Sequence, residues 1–525
     1  MIYVYMIWVL FTGFAFASFI FKLKLKSEAT NIEYNQLFLL RLSLTPLLGI
    51  LVPSIIIYTL NFLNIKFSTM SLWFAWSVIG ITSILIQYHS IKTSMKYALS
   101  FFYKQNLFIK IFLLLIVFGL LGIYARVCMN EIWSGDGLGH WGMKIQFWLH
   151  HGHISYTPTE INLWKHWMTY PLYHSIGMML HVLAIPFWPT SYAAHLNDAF
   201  YFFGVFFTSL LFINITTALR GISIVFWAAI ISFGQRELLG TLISSYAEID
   251  LAYFIFLILT LIFFLSKSSK NPSSSSSSSS NPNPNPNYYQ IIFVISICIG
   301  VATITKTDGL LKASLLFITI LIHSVIFNYF KIFFYNFKSK LFLLPNLIIP
   351  AIFLIIIDKI NKPQIQVRVE HQFYDHIIWN LNTIIERLPK GFLAFYYNMS
   401  ITCESVHKCS FTLAIAISVL ALFYLLYLLF YLPHIRNKKV FHQMTFLLIA
   451  LLLNYTLNLA PIIAVNNIVD KGFDVPILYA EGGLSRYNLH AALILNSLVV
   501  LFIINFIQNF LKLFLSKNKS TLGLI

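Results

Sequence analysis

An acid, an imidazole and an amine recur at four-residue intervals in the segment EIWSGDGLGHWGMKIQFWLHHGHISY, residues 131–156, where Asp136, His140 and Lys144 stand at i, i+4 and i+8. On a helix that begins near Asp136 the three share one face. A carboxylate backed by a cation can then stay ionised as a general base, or hold a metal together with the imidazole. Gly135, Gly137 and Gly139 let the backbone turn tightly around the acid. Trp133, Trp141 and Trp148 would by themselves make this an interfacial anchor loop. A carboxylate at a membrane surface is costly to desolvate, however, and that favours a functional reading.

Four further stretches carry candidate chemistry. TYPLYHSIGMMLH opens an apolar run with Tyr170, Pro171 and His174, and Pro at a helix start needs no donor. SSYAEIDLAY places Tyr246, Glu248 and Asp250 at another helix start, where Glu248 can serve as a cap favoured by the macrodipole. Asp250, one step deeper, becomes a proton carrier or a ligand partner for Asp136 if it faces the bundle. TKTDGLLKA sets Lys306 and Asp308 beside Gly309, either as an ion pair that closes a turn or as a phosphate contact from Lys306. AEGGLSRYNLHAAL offers Arg486, whose guanidinium can clamp a phosphate or snorkel to headgroups, with Tyr487 and His490 following on the same helix.

Weaker signals lie in residues 358–410. His371, Asp375 and His376, then Glu386 and Arg387, accompany apolar positions at helical spacing, as in an amphipathic helix lying on a membrane. Asn398, Met399 and Ser400 match a glycosylation sequon, a pattern that random matches produce freely. Of the four cysteines, Cys403 and Cys409 could pair in an oxidising compartment, whereas Cys128 and Cys298 fall at or in apolar segments and are expected to pack as small hydrophobes.

The elements that must position these residues are membrane helices. With 58% hydrophobic and 10% charged residues and 50 Phe in 525 positions, the chain excludes an ordinary soluble globule. The formal charge of +17 reports orientation and not nucleic acid, because Lys and Arg fall mostly in short loops between apolar runs. Taking those loops as cytoplasmic gives spans near 2–21, 37–60, 70–89, 111–127, 170–188, 198–218, 249–265, 289–305, 310–329, 341–357, 411–432, 444–465 and 488–514. That is about thirteen crossings, the first a retained span and not a cleaved signal, with the N-terminus outside and the C-terminus inside. The polar stretches 128–169, 234–248, 358–410 and 466–487 then share the outer face, provided that Gly221 to Phe233 is re-entrant.

The expected fold is an all-α polytopic bundle with an outer-face catalytic cavity and interfacial helices. Residues 1–110 form amino-terminal helices, 111–330 a catalytic core and 331–525 a carboxy-terminal region. The Ser/Asn/Pro tract within 267–288 is a disordered cytoplasmic linker.

No Gly-rich phosphate loop, zincin helix or nucleophile elbow is present, which argues against a soluble nucleotide as energy source. The order WSGDGLGHWGMK, Tyr-Pro-Leu, SYAEID, KTDG and SRY resembles the GT-C class of polytopic glycosyltransferases. Within it the chain is most similar to bacterial relatives of the dolichyl-phosphate-mannose protein mannosyltransferases and the lipid A aminoarabinose transferases. The resemblance covers roughly residues 110 to 330 and the surroundings of Arg486. It implies inverting transfer of a sugar from a polyprenyl-phosphate donor to a lipid, glycan or protein acceptor at the outer face. The implied base is Asp136, with Asp250 as second acid and Lys306 or Arg486 on the donor phosphate. His140, Lys144, Tyr170, His174, Glu248, Asp308 and Tyr487 are the other candidate substrate contacts.

Two departures from the family stand out: three extra spans precede the first acidic loop, and Gly137 replaces the second acid of the usual doublet. No cofactor is required by this reading, and a divalent metal is allowed. A bacterial inner membrane is favoured over an endoplasmic one. The rival class is a transporter or flippase for a lipid-linked or anionic substrate, which predicts midplane charges and internal symmetry. A histidine-dependent acyltransferase using His140, His174 or His490 is the third option.

Overall fold

The computed structural model describes residues 2–21, 31–129, 141–161, 171–234, 247–268, 288–306, 308–327, 343–362, 439–464 and 489–522. Among the described residues all regular structure is helical. The helices are α1 (Ile2–Ile20), α2 (Asn31–Phe62), α3 (Thr69–Tyr103), α4 (Leu107–Cys128), α5 (Met143–His151), α6 (Tyr173–Ala184), α7 (Thr190–Ala194), α8 (Leu196–Thr216), α9 (Ile222–Phe233), α10 (Glu248–Ser268), α11 (Tyr288–Thr305), α12 (Gly309–Phe327), α13 (Leu343–Asn361), α14 (Lys439–Ala464) and α15 (Leu489–Leu522).

Among the described residues, eight segments are long and apolar enough to cross a bilayer: Ile2–Ile20, Asn35–Phe62, Thr69–Tyr103, Leu107–Cys128, Thr190–Thr216, Glu248–Ser266, Gly309–Ile326 and Leu489–Gln508. The exposed apolar side chains of α3 and α4, including Phe74, Leu85, Leu115 and Phe118, are what a lipid-facing surface requires. The protein is therefore an all-α, multi-pass membrane protein. The expected span 411–432, the helix near 371–387, Cys403, Cys409 and nearly all of the 267–288 linker lie outside the described residues. Cys128 and Cys298 are buried free thiols, as expected of small hydrophobes.

Two compact units are present. The first holds residues 1–212, 221–314 and 332–370, and the second residues 213–220, 315–331 and 371–525. In the second, α14 packs on α15, and buried His323 meets the His442 ring edge-on at 5.6 Å.

The first unit contains the candidate site. Its α1 and α2 approach closely, since any Cβ on Gly13 would meet the Thr45 carbonyl oxygen and the Gly49 amide. Buried Arg41 on α2 donates through Nε to the Phe21 carbonyl at 3.1 Å and through Nη1 to Ser94 Oγ on α3 at 3.1 Å, with Nη2 also on Phe21. A permanently charged group thus satisfies the carbonyl end of α1, at the end that the lysine-rich loops mark.

At the opposite, non-basic end the contacts correct one expected crossing. Helix α6 has 12 residues, an axial length of about 18 Å, which falls short of the roughly 30 Å apolar core of a bilayer. Both of its ends touch the non-basic ends of other helices. Ahead of it, Leu172 N donates to Asp358 near the end of α13 at 3.2 Å. Toward its finish, His181 Nδ1 bonds Tyr5 Oη of α1 at 2.7 Å, and the Ala184 carbonyl accepts from Trp73 Nε1 of α3 at 2.9 Å. Beyond it, Trp188 Nε1 donates to the Cys128 carbonyl at the end of α4 at 3.0 Å. Residues 170–188 are therefore not a span, and the chain re-enters on the side it left.

The segment expected to be re-entrant, Gly221 to Phe233, is by the same measure too short to cross by itself, since α9 also has 12 residues. Helix α9 runs back along α8, with Ser232 Oγ 3.1 Å from Ser209 Oγ and the Phe233 ring 5.3 Å from Phe202.

Candidate functional site

Each acid or imidazole at the centre of the site stands in the first turn of a helix. His174 is in the first turn of α6, Asp198 in that of α8, and Glu248 and Asp250 in that of α10. Carboxylates are favoured there because the first amides of a helix lack carbonyl partners and its dipole is positive. The re-entrant course of residues 173–195 brings the α8 start beside the α10 start.

His174 Nδ1 lies 2.6 Å from Asp250 Oδ2, and both side chains are fully buried. Asn197 Nδ2 donates to the same Oδ2 at 3.0 Å. Gly177, one turn into α6, makes room for Asn197: a Cβ there would come within 2.5 Å of its Oδ1. Asp198 completes a group in which one ligand-type atom from each of His174, Asp198 and Asp250 lies within 4.8 Å of the others. An imidazole and two carboxylates so arranged could share a proton or a cation.

Glu248 and Asp250 are two positions apart, so they leave the helix in different directions. Asp250 joins His174, while Glu248 Oε1 accepts from Lys306 Nζ at 2.9 Å. Lys306 does not close its own turn with Asp308, since Asp308 pairs with Lys312 one helical turn on at 2.7 Å. The break between α11 and α12 is tight, with Gly309 N bonded to the Lys306 carbonyl at 3.0 Å and a Gly309 Cβ excluded by the Ala302 carbonyl oxygen.

A second pole adjoins the first through an aromatic ring. Trp141 packs edge-on against His174 with centroids 4.9 Å apart, and its carbonyl accepts from Ser175 Oγ. Lys144 Nζ sits 5.2 Å from the centre of the same indole. Asp358, which accepts from Tyr58 Oη at 2.7 Å, and Lys362 both act electrostatically on Lys144. Burial is the largest influence on this amine and lowers its pKa. Repulsion from Lys362 lowers it further, Asp358 opposes, and the result is about 7.

The sign for stability follows from proton uptake. Below about pH 7 the folded chain must carry a buried ammonium, whereas between 7 and 10.5 the unfolded chain alone holds that proton. Stability should therefore rise with pH through that window, by at most about 1.4 kcal/mol per unit. Lys144→Met is expected to flatten the rise, which unfolding midpoints between pH 6 and 9 would read. An unchanged slope would show that other groups set the pH response.

Of the residues anticipated from sequence, Lys144, His174, Glu248, Asp250, Lys306 and Asp308 are described, and all lie at the non-basic end of the first unit. Asp136, His140, Tyr170, Arg486 and Tyr487 lie outside the described residues. His490 is buried at the start of α15. Asn197, Asp198, Asp358 and Tyr58 were not anticipated, although the two acids give the same signal as Asp250: a lone carboxylate at the edge of an apolar run. Comparison with protein-family models, with curated proteins and with solved structures finds no match to this chain.

Proposed function

We propose that this chain is a polytopic glycosyltransferase of the GT-C type. It moves a sugar from a polyprenyl-phosphate donor to a lipid, glycan or protein acceptor at the periplasmic or lumenal face, in about thirteen crossings. The observation that carries the reading is the gathering of His174, Asp198, Glu248, Asp250, Lys306 and Lys144 at the non-basic ends of their helices. Acid and base chemistry beside a membrane surface suits a donor whose leaving group is itself a lipid phosphate.

In the proposed reaction the acceptor hydroxyl oxygen attacks the anomeric carbon from the face opposite the phosphate. The carbon–oxygen bond to phosphate breaks, polyprenyl phosphate departs with the electron pair, and configuration inverts. The acceptor proton passes to Asp136 as base, and Asp250, steadied by His174 and Asn197, is the second carboxylate. Lys306, Lys144 and Arg486 offset charge on the phosphate, with His140, Tyr170, Asp308 and Tyr487 shaping the sugar and acceptor pockets. A bacterial inner membrane is the proposed location.

The transporter or flippase reading is less favoured. The apolar stretches of α8 and α10 carry no Asp, Glu, Lys, Arg or His between residues 199 and 216 or between 251 and 266. A substrate pathway at the midplane needs such groups.

The deciding assay supplies labelled polyprenyl-phosphate sugars and a crude acceptor extract to membranes holding the full chain. Label is expected in the acceptor, with free polyprenyl phosphate released, and Asp136→Asn should slow this by about 10²–10⁴-fold. Equal transfer by that variant would remove Asp136 as base. Movement of intact donor between leaflets with no bond cleaved would replace the enzyme by the transporter.

A further inference from the structure

The cluster formed by the first turns of α6, α8 and α10 has the composition of a metal site, independently of any sugar transfer. We propose that His174, Asp198 and Asp250 bind one divalent first-row cation such as Mn²⁺ or Zn²⁺.

Three observations support this. First, the ligand-type atoms of the three residues come within 4.8 Å of one another. That is close to the roughly 4 Å between opposite ligands of an ion held by bonds of about 2.0–2.2 Å. Second, all three side chains are buried, and a cation bound among two carboxylates and an imidazole would offset the cost of holding those carboxylates away from water. Third, Asp250 Oδ1 is buried and makes no hydrogen bond. It is a lone-pair position left open after His174 Nδ1 and Asn197 have engaged Asp250 Oδ2.

The surroundings suit a ligand set as well. Asn197 holds one carboxylate oxygen of Asp250 in place, and Gly177 leaves Asn197 the space to do so. Such outer partners orient the ligands of metal centres. An imidazole beside two carboxylates selects Mn²⁺, Fe²⁺ or Zn²⁺ over Mg²⁺ and Ca²⁺, which prefer all-oxygen sets.

The test reads occupancy and not turnover. Full-length chain purified in mild detergent without chelator is expected to carry about one equivalent of metal by elemental analysis. After EDTA treatment it should take up one equivalent of Mn²⁺ or Zn²⁺ in equilibrium dialysis. Asp198→Asn and His174→Gln should lose at least about ten-fold in uptake, whereas Glu160→Gln, in the helical turn 158–161 after α5, should retain it. The wild-type chain supplies a measure free of any folding defect in the variants. Its unfolding midpoint should fall on EDTA treatment and recover on adding Mn²⁺ or Zn²⁺, because a ligand of the folded state stabilises by mass action. Absence of both bound metal and metal uptake in the wild-type chain would overturn the proposal. So would uptake that Asp198→Asn and His174→Gln leave unchanged.

Discussion

Lys306→Met is expected to destabilise the protein by roughly 3–5 kcal/mol, while Lys306→Met combined with Glu248→Leu recovers most of the loss. The Lys306 ammonium sits 2.9 Å from Glu248 Oε1, and the two side chains are only 11% and 7% exposed. Removing the amine takes the ion-pair partner at 2.9 Å from a carboxylate in a site that water barely reaches. Removing both groups leaves two apolar side chains of similar volume, which such a site tolerates. Equilibrium unfolding of both variants in bicelles by SDS titration would measure the difference. A single variant within 1 kcal/mol of wild type would mean that solvent or another cation already satisfies Glu248. The comparison also separates stability from chemistry. If Lys306 touches the donor phosphate as proposed, the double variant regains stability and still binds donor poorly.

The membrane bundle was legible in the sequence because apolar runs of twenty residues admit few other structures. Most described helices start and stop within a few residues of the expected spans. The exception, residues 170–188, shows why length and hydropathy alone mislead. The run is apolar enough to cross, but Pro186 and Pro189 follow it, and a residue before proline is driven out of helical geometry. The helix accordingly ends at Ala184, a full turn and more too early for a crossing. Those prolines were the available signal, and they also move the start of α8 to the non-basic end.

The site was partly legible. A carboxylate at the head of an apolar run is visible in Glu248 and Asp250, but their division of labour depends on the helical angle between positions i and i+2. It appeared only when His174 and Lys306 took their places. Asp358 and Arg41 were opaque for another reason. Each answers a need created by tertiary packing, Asp358 toward Tyr58 and the Leu172 amide and Arg41 toward the Phe21 carbonyl, and nothing in the local sequence announces such partners.

Gly13→Leu is expected to have a still larger effect, a loss of monodisperse folded protein or a destabilisation above about 3 kcal/mol. Membrane helices gain little from hydrophobic burial against each other, so close backbone approach through small residues carries much of their packing. At Gly13 a Cβ would lie 2.1 Å from the Thr45 carbonyl oxygen and 2.8 Å from the Gly49 amide nitrogen. Both obstacles are backbone atoms of α2, so no rotamer change relieves them. Helix α2 has little freedom to retreat, because Arg41 ties it to the end of α1 and to α3. The matched control is Gly119→Leu or Gly122→Leu on α4, where a Cβ meets nothing within 4 Å. Size-exclusion profiles and SDS unfolding of the three variants would show whether α1 and α2 must touch, and equal behaviour would refute it. The lesion should also reach the candidate site. Tyr5 of α1 holds His181 of α6, so pushing α1 outward loosens the short helix that presents His174 to Asp250.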